Sequence, residues 1–149
     1  MRVVVHVDGG ARGNPGPAAA AAVISTPDGE VLDEAMEVLG VATNNVAEYR
    51  GLLLGLRRAR DVGATEVDVV NDSELVAKQL TGAYKVKHAA MRPLYLEAMR
   101  ALREFERWSV RSVPRAENVH ADALVNQADR KSTRLNSSHP SLSRMPSSA

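Results

Sequence analysis

The chain has 149 residues, 44% hydrophobic and 25% charged, a balance that fits one globular domain able to bury a core. It contains no cysteine, which excludes a disulfide framework, a thiol nucleophile and a thiolate zinc site. No run reaches the roughly 18 apolar residues that a membrane helix needs, and a formal net charge of +1 is too small for bulk charge to grip a polyanion.

The charge is also uneven. From residue 131 onward the chain carries Lys131, Arg134 and Arg144 and no acid; without them, 16 basic residues face 18 acidic ones. Nucleic-acid binding, if present, must therefore come from a local groove. Aromatic residues make up 3% of the chain, so the core must be built from Val, Leu, Ala and Met. The N-terminus lacks the layout of a signal peptide, and a cytoplasmic location is the expectation.

Residues 2–8 are rich in β-branched side chains and end at Gly9-Gly10, which reads as a strand entering a turn. The breaker-rich loop over residues 11–17 leads to a second strand at 18–25. Its alanine run favours helix, but its short length and flanking turns favour strand. Residues 30–39 return as a third strand, so the opening is an antiparallel meander. Helical spacing starts near Asn44, with Val46, Leu53, Leu54, Leu56 and Ala59 as the apolar stripe, and Gly63 stops the helix. A fourth strand spans 65–70, and Ser73 caps a short helix through Leu80. After an irregular basic stretch at 82–90, Pro93 sits early in a helix running to about Glu106. Residues 108–113 form the last strand, and a final helix ends near Asp129.

Three strands, a helix, a strand, two helices, a strand and a helix imply an α/β fold on a mixed sheet. The meander is extended by two strands that join the first in parallel through helical crossovers. The expected domain is 1–130. The serine-rich segment 131–149 shows no sustained periodicity and resembles translated sequencing-adapter DNA. It is set aside as a disordered or artefactual tail.

Four acids hold informative positions. Asp8 and Asp72 each close a hydrophobic strand, so parallel neighbours would bring both to one sheet edge, where open α/β sheets bind ligands. Glu48 and Asp122 each lie in the first turn of a helix. Taken singly, an acid there is ordinary dipole compensation, and an acid ending a strand is ordinary turn chemistry. Converging, the four would repel one another unless cations joined them. An oxygen-only site suits magnesium or manganese, and two such ions are the common clamp for displacement at phosphorus.

The stretches Asp8-Gly9-Gly10-Ala11-Arg12-Gly13-Asn14-Pro15-Gly16-Pro17, Thr43-Asn44-Asn45-Val46-Ala47-Glu48-Tyr49, Asn71-Asp72-Ser73 and Glu117-Asn118-Val119-His120-Ala121-Asp122 resemble ribonuclease H of type 1. Their order and approximate spacing are the family's, over nearly all of residues 1–130. The resemblance implies a five-stranded mixed sheet flanked by helices. It also implies a monomeric endonuclease that cuts the RNA strand of an RNA–DNA hybrid, leaving 3′-hydroxyl and 5′-phosphate ends, with no small-molecule cofactor. Asp8, Glu48, Asp72 and Asp122 would be the catalytic metal ligands for two Mg2+ (or Mn2+) ions.

The same resemblance makes Gly10, Arg12, Asn14, Asn44 and Asn45 groove residues toward the substrate, and Thr43, assisted by Asn118, a contact to a DNA-strand phosphate. Ordinary turn and capping chemistry explains these Asn and Thr residues equally well. Lys85 and Lys87 alternate and could meet phosphates, or be plain solvated lysines.

Two departures stand out. The short connection over 82–92 leaves no room for the basic helical protrusion of many bacterial members, so the likeness is to compact archaeal and actinobacterial forms. Arg115 occupies the region where many members carry a loop histidine. Arginine cannot act as a general base but can stabilise phosphate charge. Two other readings remain: a non-catalytic hybrid or double-stranded RNA binder on this fold, and an integrase-like nuclease, whose relatives usually carry three acids.

Overall fold

The β-branched run at the N-terminus becomes the central strand of the sheet. A computed structural model describes the backbone of residues 1–136 and the side chains of residues 1–128. Strands β1 (Arg2–Ala11), β2 (Gly16–Ser25) and β3 (Val31–Ala42) form the antiparallel meander. Helix α1 (Asn44–Asp61) crosses to β4 (Glu66–Asn71), which pairs with β1 in parallel. Helices α2 (Glu74–Leu80) and α3 (Arg92–Arg103) lead to β5 (Arg107–Ser112), parallel to β4. A 3-10 turn at Arg115–Glu117 precedes α4 (Val119–Asn136). The sheet order is β3-β2-β1-β4-β5, the five-stranded mixed sheet expected from the element order.

The alanine run at residues 18–22 is strand, as its flanking turns suggest, and every one of its side chains is buried. One layer packs Val3, Val5, Val7, Val67 and Val69 against Leu52, Leu56 and Leu102 of the helices. The other sets Ala19 and Ala21 against Val125 and Ala128 of α4.

Several boundaries differ from expectation, among them the start of β2 at Gly16, the end of α3 at Arg103 and the three that follow. The first strand does not end at Asp8. Its parallel ladder with β4 stops at His6–Val70, but its antiparallel ladder with β2 continues to Ala11–Ala18. The third strand runs to Ala42 because a bulge around Leu39, with Gly40 at φ 73°, lets pairing resume beyond it. The last helix continues to Asn136; residues 137–149 of the serine-rich tail lie outside the described residues. Gly63 does end α1: at φ 88° its amide bonds to Arg60, and Ala64 bonds back to Ala59, the paired contacts of a Schellman cap. No helix among the described residues is long and apolar enough to cross a membrane.

Candidate active site

The start of α1 is tied to the loop after β1. Thr43 caps the helix, its Oγ1 accepting from the Val46 amide at 3.2 Å. The Asn44 Oδ1 accepts from the Ala11 amide at 2.8 Å, and the Asn14 Oδ1 accepts from the Asn44 amide at 3.0 Å. Glycines then bring helix and strand into backbone contact. A β-carbon on Gly51 would lie 2.6 Å from the Asp8 carbonyl oxygen, so only glycine allows this approach. Asp8 and Glu48, both essentially fully buried, consequently face each other across the α1–β1 seam.

Asp72 arrives from the other side. It follows β4 directly, in a turn held by the Asn71 Oδ1, which accepts from the Ser73 amide at 2.7 Å, while Ser73 caps α2. One carboxylate oxygen from each of Asp8, Glu48 and Asp72 lies within 4.8 Å of the others. Asp122, in the first turn of α4, stands outside that group but near enough to raise the Asp72 carboxyl. The Asn126 amide, one helical turn on, reaches Asp122 Oδ2 at 3.5 Å.

Burial pushes the Glu48 carboxyl well above the usual carboxylate range, and the neighbouring Asp72 raises it further, against a lowering hydrogen bond from the Gly9 backbone. Burial also raises Asp72 and Asp122. Arg115 opposes all three shifts, its Nε 3.8 Å from Asp72 Oδ2. Crowded acids that favour protonation are a site that lacks positive charge. The donors are all oxygen, the preference of hard divalent cations. Two oxygens bound at about 2.1 Å to one magnesium ion sit at most roughly 4 Å apart, so only a small contraction of this cluster is required. The residues fit such ions.

The other residues singled out in the sequence separate into two groups. Asn14, Thr43, Asn45, Lys85 and Lys87 line one cleft of about 430 Å³, together with the apolar Val46, Leu75 and Met91. Arg115 faces the acids. Gly10, Asn44 and Asn118 are buried instead: Gly10 pairs with Ala19 inside the sheet, Asn44 is bonded to Ala11, and Asn118 is bonded to β1. Arg12 is half-buried in the loop, its amide donating to Pro17. His120 is paired with Glu34 of β3. Sequence reasoning missed Asn126, which a count of four along the helix from Asp122 would have found. It also missed Gln79 in the cleft, which accepts the buried Tyr49 hydroxyl at 2.7 Å and gives no local signal.

Comparison with known proteins places the chain among similar molecules. The reverse transcriptase-like family profile matches residues 6–128. The bifunctional protein Rv2228c of Mycobacterium tuberculosis is 50% identical over 129 residues, covering 86% of this chain and 35% of that protein. Its N-terminal RNase H domain, solved as a fusion with maltose binding protein, superposes with a TM-score of 0.88 at 46% identity, covering 92% of this chain and 99% of that one. Ribonuclease HI of Halobacterium salinarum is 44% identical over 127 residues, 85% of this chain and 64% of that protein. The crystal structure of RNase H1 from this archaeon gives a TM-score of 0.85 at 43% identity, covering 88% and 99%. LC11-RNase H1, isolated from compost by a metagenomic approach and solved in complex with RNA/DNA hybrid, gives 0.84 at 37% identity, covering 87% and 98%. The chain thus spans about a third of the length of the mycobacterial relative.

Proposed function

The chain belongs to the ribonuclease H type 1 family, and from that premise we propose that it is an endonuclease hydrolysing the RNA strand of RNA–DNA hybrids. The products in this reading are 3′-hydroxyl and 5′-phosphate ends. The observation that carries it is the buried meeting of Asp8, Glu48 and Asp72, oxygens within 4.8 Å, with Asp122 and Arg115 beside them.

Asp8, Glu48, Asp72 and Asp122 would hold two divalent cations, magnesium or manganese. When bound, these supply charge neutralisation at the scissile phosphate and a lowered pKa for the attacking water. The chain's own groups do the rest. Glu48, seated at the helix start, approaches the ribose hydroxyl next to the cut. Arg115 adds a fixed positive charge at the phosphate or its departing product. Asn14 and Asn45 meet the minor groove, where 2′-hydroxyls distinguish RNA from DNA. Thr43, Lys85 and Lys87, lining the same cleft, take the phosphates of the DNA strand. A single-chain cytoplasmic enzyme is part of this reading.

The test is a labelled hybrid, a DNA duplex and single-stranded RNA, each incubated with the protein and magnesium or with chelator. Cleavage of the hybrid's RNA strand alone, dependent on the cation, is expected. Intact RNA in a stable complex would instead mark a binding module.

A further inference from the structure

We propose that Asn118 is a positioning residue that fixes residues 115–122 against Asp8, and not a contact to the nucleic acid. The inference rests on reading the four acids as cation ligands. From residue 114 to residue 120 the chain is exposed except at Asn118, which is 1% exposed. A side chain so enclosed has no surface to offer a phosphate. Its Nδ2 donates to the Val7 carbonyl at 2.8 Å. That carbonyl belongs to the residue before Asp8, one step past the last β1–β4 pair, His6 with Val70. The parallel ladder has ended there, and a buried carbonyl needs a donor from elsewhere. A carbonyl only accepts, so the amide must turn its NH2 toward β1.

The backbone of Asn118 completes the link. Its amide bonds to the Arg115 carbonyl at 2.9 Å, and its carbonyl accepts from the Asp122 amide at 3.1 Å. One residue therefore connects the strand that carries Asp8, the arginine 3.8 Å from Asp72, and the acid of α4. These charged groups come from segments more than 100 positions apart in the chain, and the acids must share cations to within a fraction of an ångström. Without this bond, the exposed turn between the Val113 amide, held on the Asn71 carbonyl at 2.7 Å, and α4 loses its direct tie to β1, and Asp122 and Arg115 drift relative to Asp8.

The test uses the full chain with Asn118→Ala and Asn118→Asp; the second lacks the donor and sets a carboxylate oxygen against the Val7 carbonyl. On the hybrid, kcat should fall roughly 10- to 100-fold with KM nearly unchanged. Magnesium binding without nucleic acid, measured by calorimetry, should weaken by roughly 10-fold or more. A raised KM at unchanged kcat would assign Asn118 to the substrate and overturn the proposal, as would wild-type behaviour in both measurements. Should neither variant fold, NMR of the wild-type protein decides. A side-chain amide slow to exchange and unmoved by added hybrid supports the proposal, and one that shifts on binding overturns it. If the wild-type protein fails to cut the hybrid while Asn118→Ala still weakens magnesium binding, the cleavage reading falls and this one stands.

Discussion

Gly9 and Ala47 leave no room between them for a β-carbon: one added to Gly9 would lie 2.2 Å from the Ala47 carbonyl oxygen and 2.7 Å from the Glu48 amide nitrogen. Backbone meets backbone here, so no rotamer change relieves the clash. Gly9→Ala must push α1 off β1 and part Glu48 from Asp8. The expected cost is about 2–3 kcal/mol of stability, at the upper end for overpacking, with loss of most hybrid cleavage. Urea unfolding and a cleavage assay on the folded variant check it; a variant of wild-type stability and rate would show that the seam is loose.

Asp8→Asn keeps the shape of the side chain and removes one negative charge from a cluster that burial already drives toward protonation. Metal-free, this variant should melt at or above the wild-type temperature, because a buried repulsion is relieved. With magnesium it should lose at least about 100-fold in turnover, the weight of a group needed to hold the cation. Stable folding with substantial magnesium-dependent cleavage would remove Asp8 from the site.

Much of this was legible in the sequence, and the remainder was hidden for identifiable reasons. β-Branched runs and turn residues marked the five strands, and Ser73 and Gly63 sit where their capping chemistry predicts. Asp8 and Asp72 were visible because each comes at the end of a hydrophobic run in the sequence. The apolar stripe of α1, however, was misplaced toward Val46 and Leu53, which are only partly buried. The face against the sheet runs through Ala47, Gly51, Leu52 and Gly55, and glycines carry no hydrophobic signal. Asn44 looked like a groove residue, and Asn118 like an aid to a phosphate contact, because a motif does not reveal which way a side chain points; the buried amide and carbonyl they satisfy belong to β1, far away in the chain.

The raised Glu48 carboxyl makes the metal-free protein pH-sensitive. Its folded pKa lies above the unfolded value, so the folded state holds the proton more tightly. The resulting stabilisation is complete below the usual glutamate range and is lost as pH rises through the raised value. Asp72 and Asp122 shift in the same direction. Melting in chelator should therefore show a contribution that declines with rising pH, and Glu48→Gln should flatten it. Because a cation must displace that proton, the increase in melting temperature given by magnesium should grow with pH. A magnesium effect independent of pH across that range would mean the ion does not bind at Glu48.

Lys85 and Lys87 are exposed and line the same cleft as Thr43 and Asn45, with no ion pair to an acid among the described residues. If they meet phosphates of the DNA strand, their contribution is counterion release rather than chemistry. Lys85→Ala and Lys87→Ala should each raise KM for the hybrid a few-fold while leaving kcat at saturation unchanged. The dependence of log KM on log salt should become shallower by up to about 0.9 per lysine, since each contact removed releases fewer counterions. Both slopes can be read from the same assay repeated over a series of potassium chloride concentrations. An unchanged slope in the double variant would make these lysines ordinary solvated surface. The positive charge steering the duplex would then have to come from elsewhere on the cleft's rim.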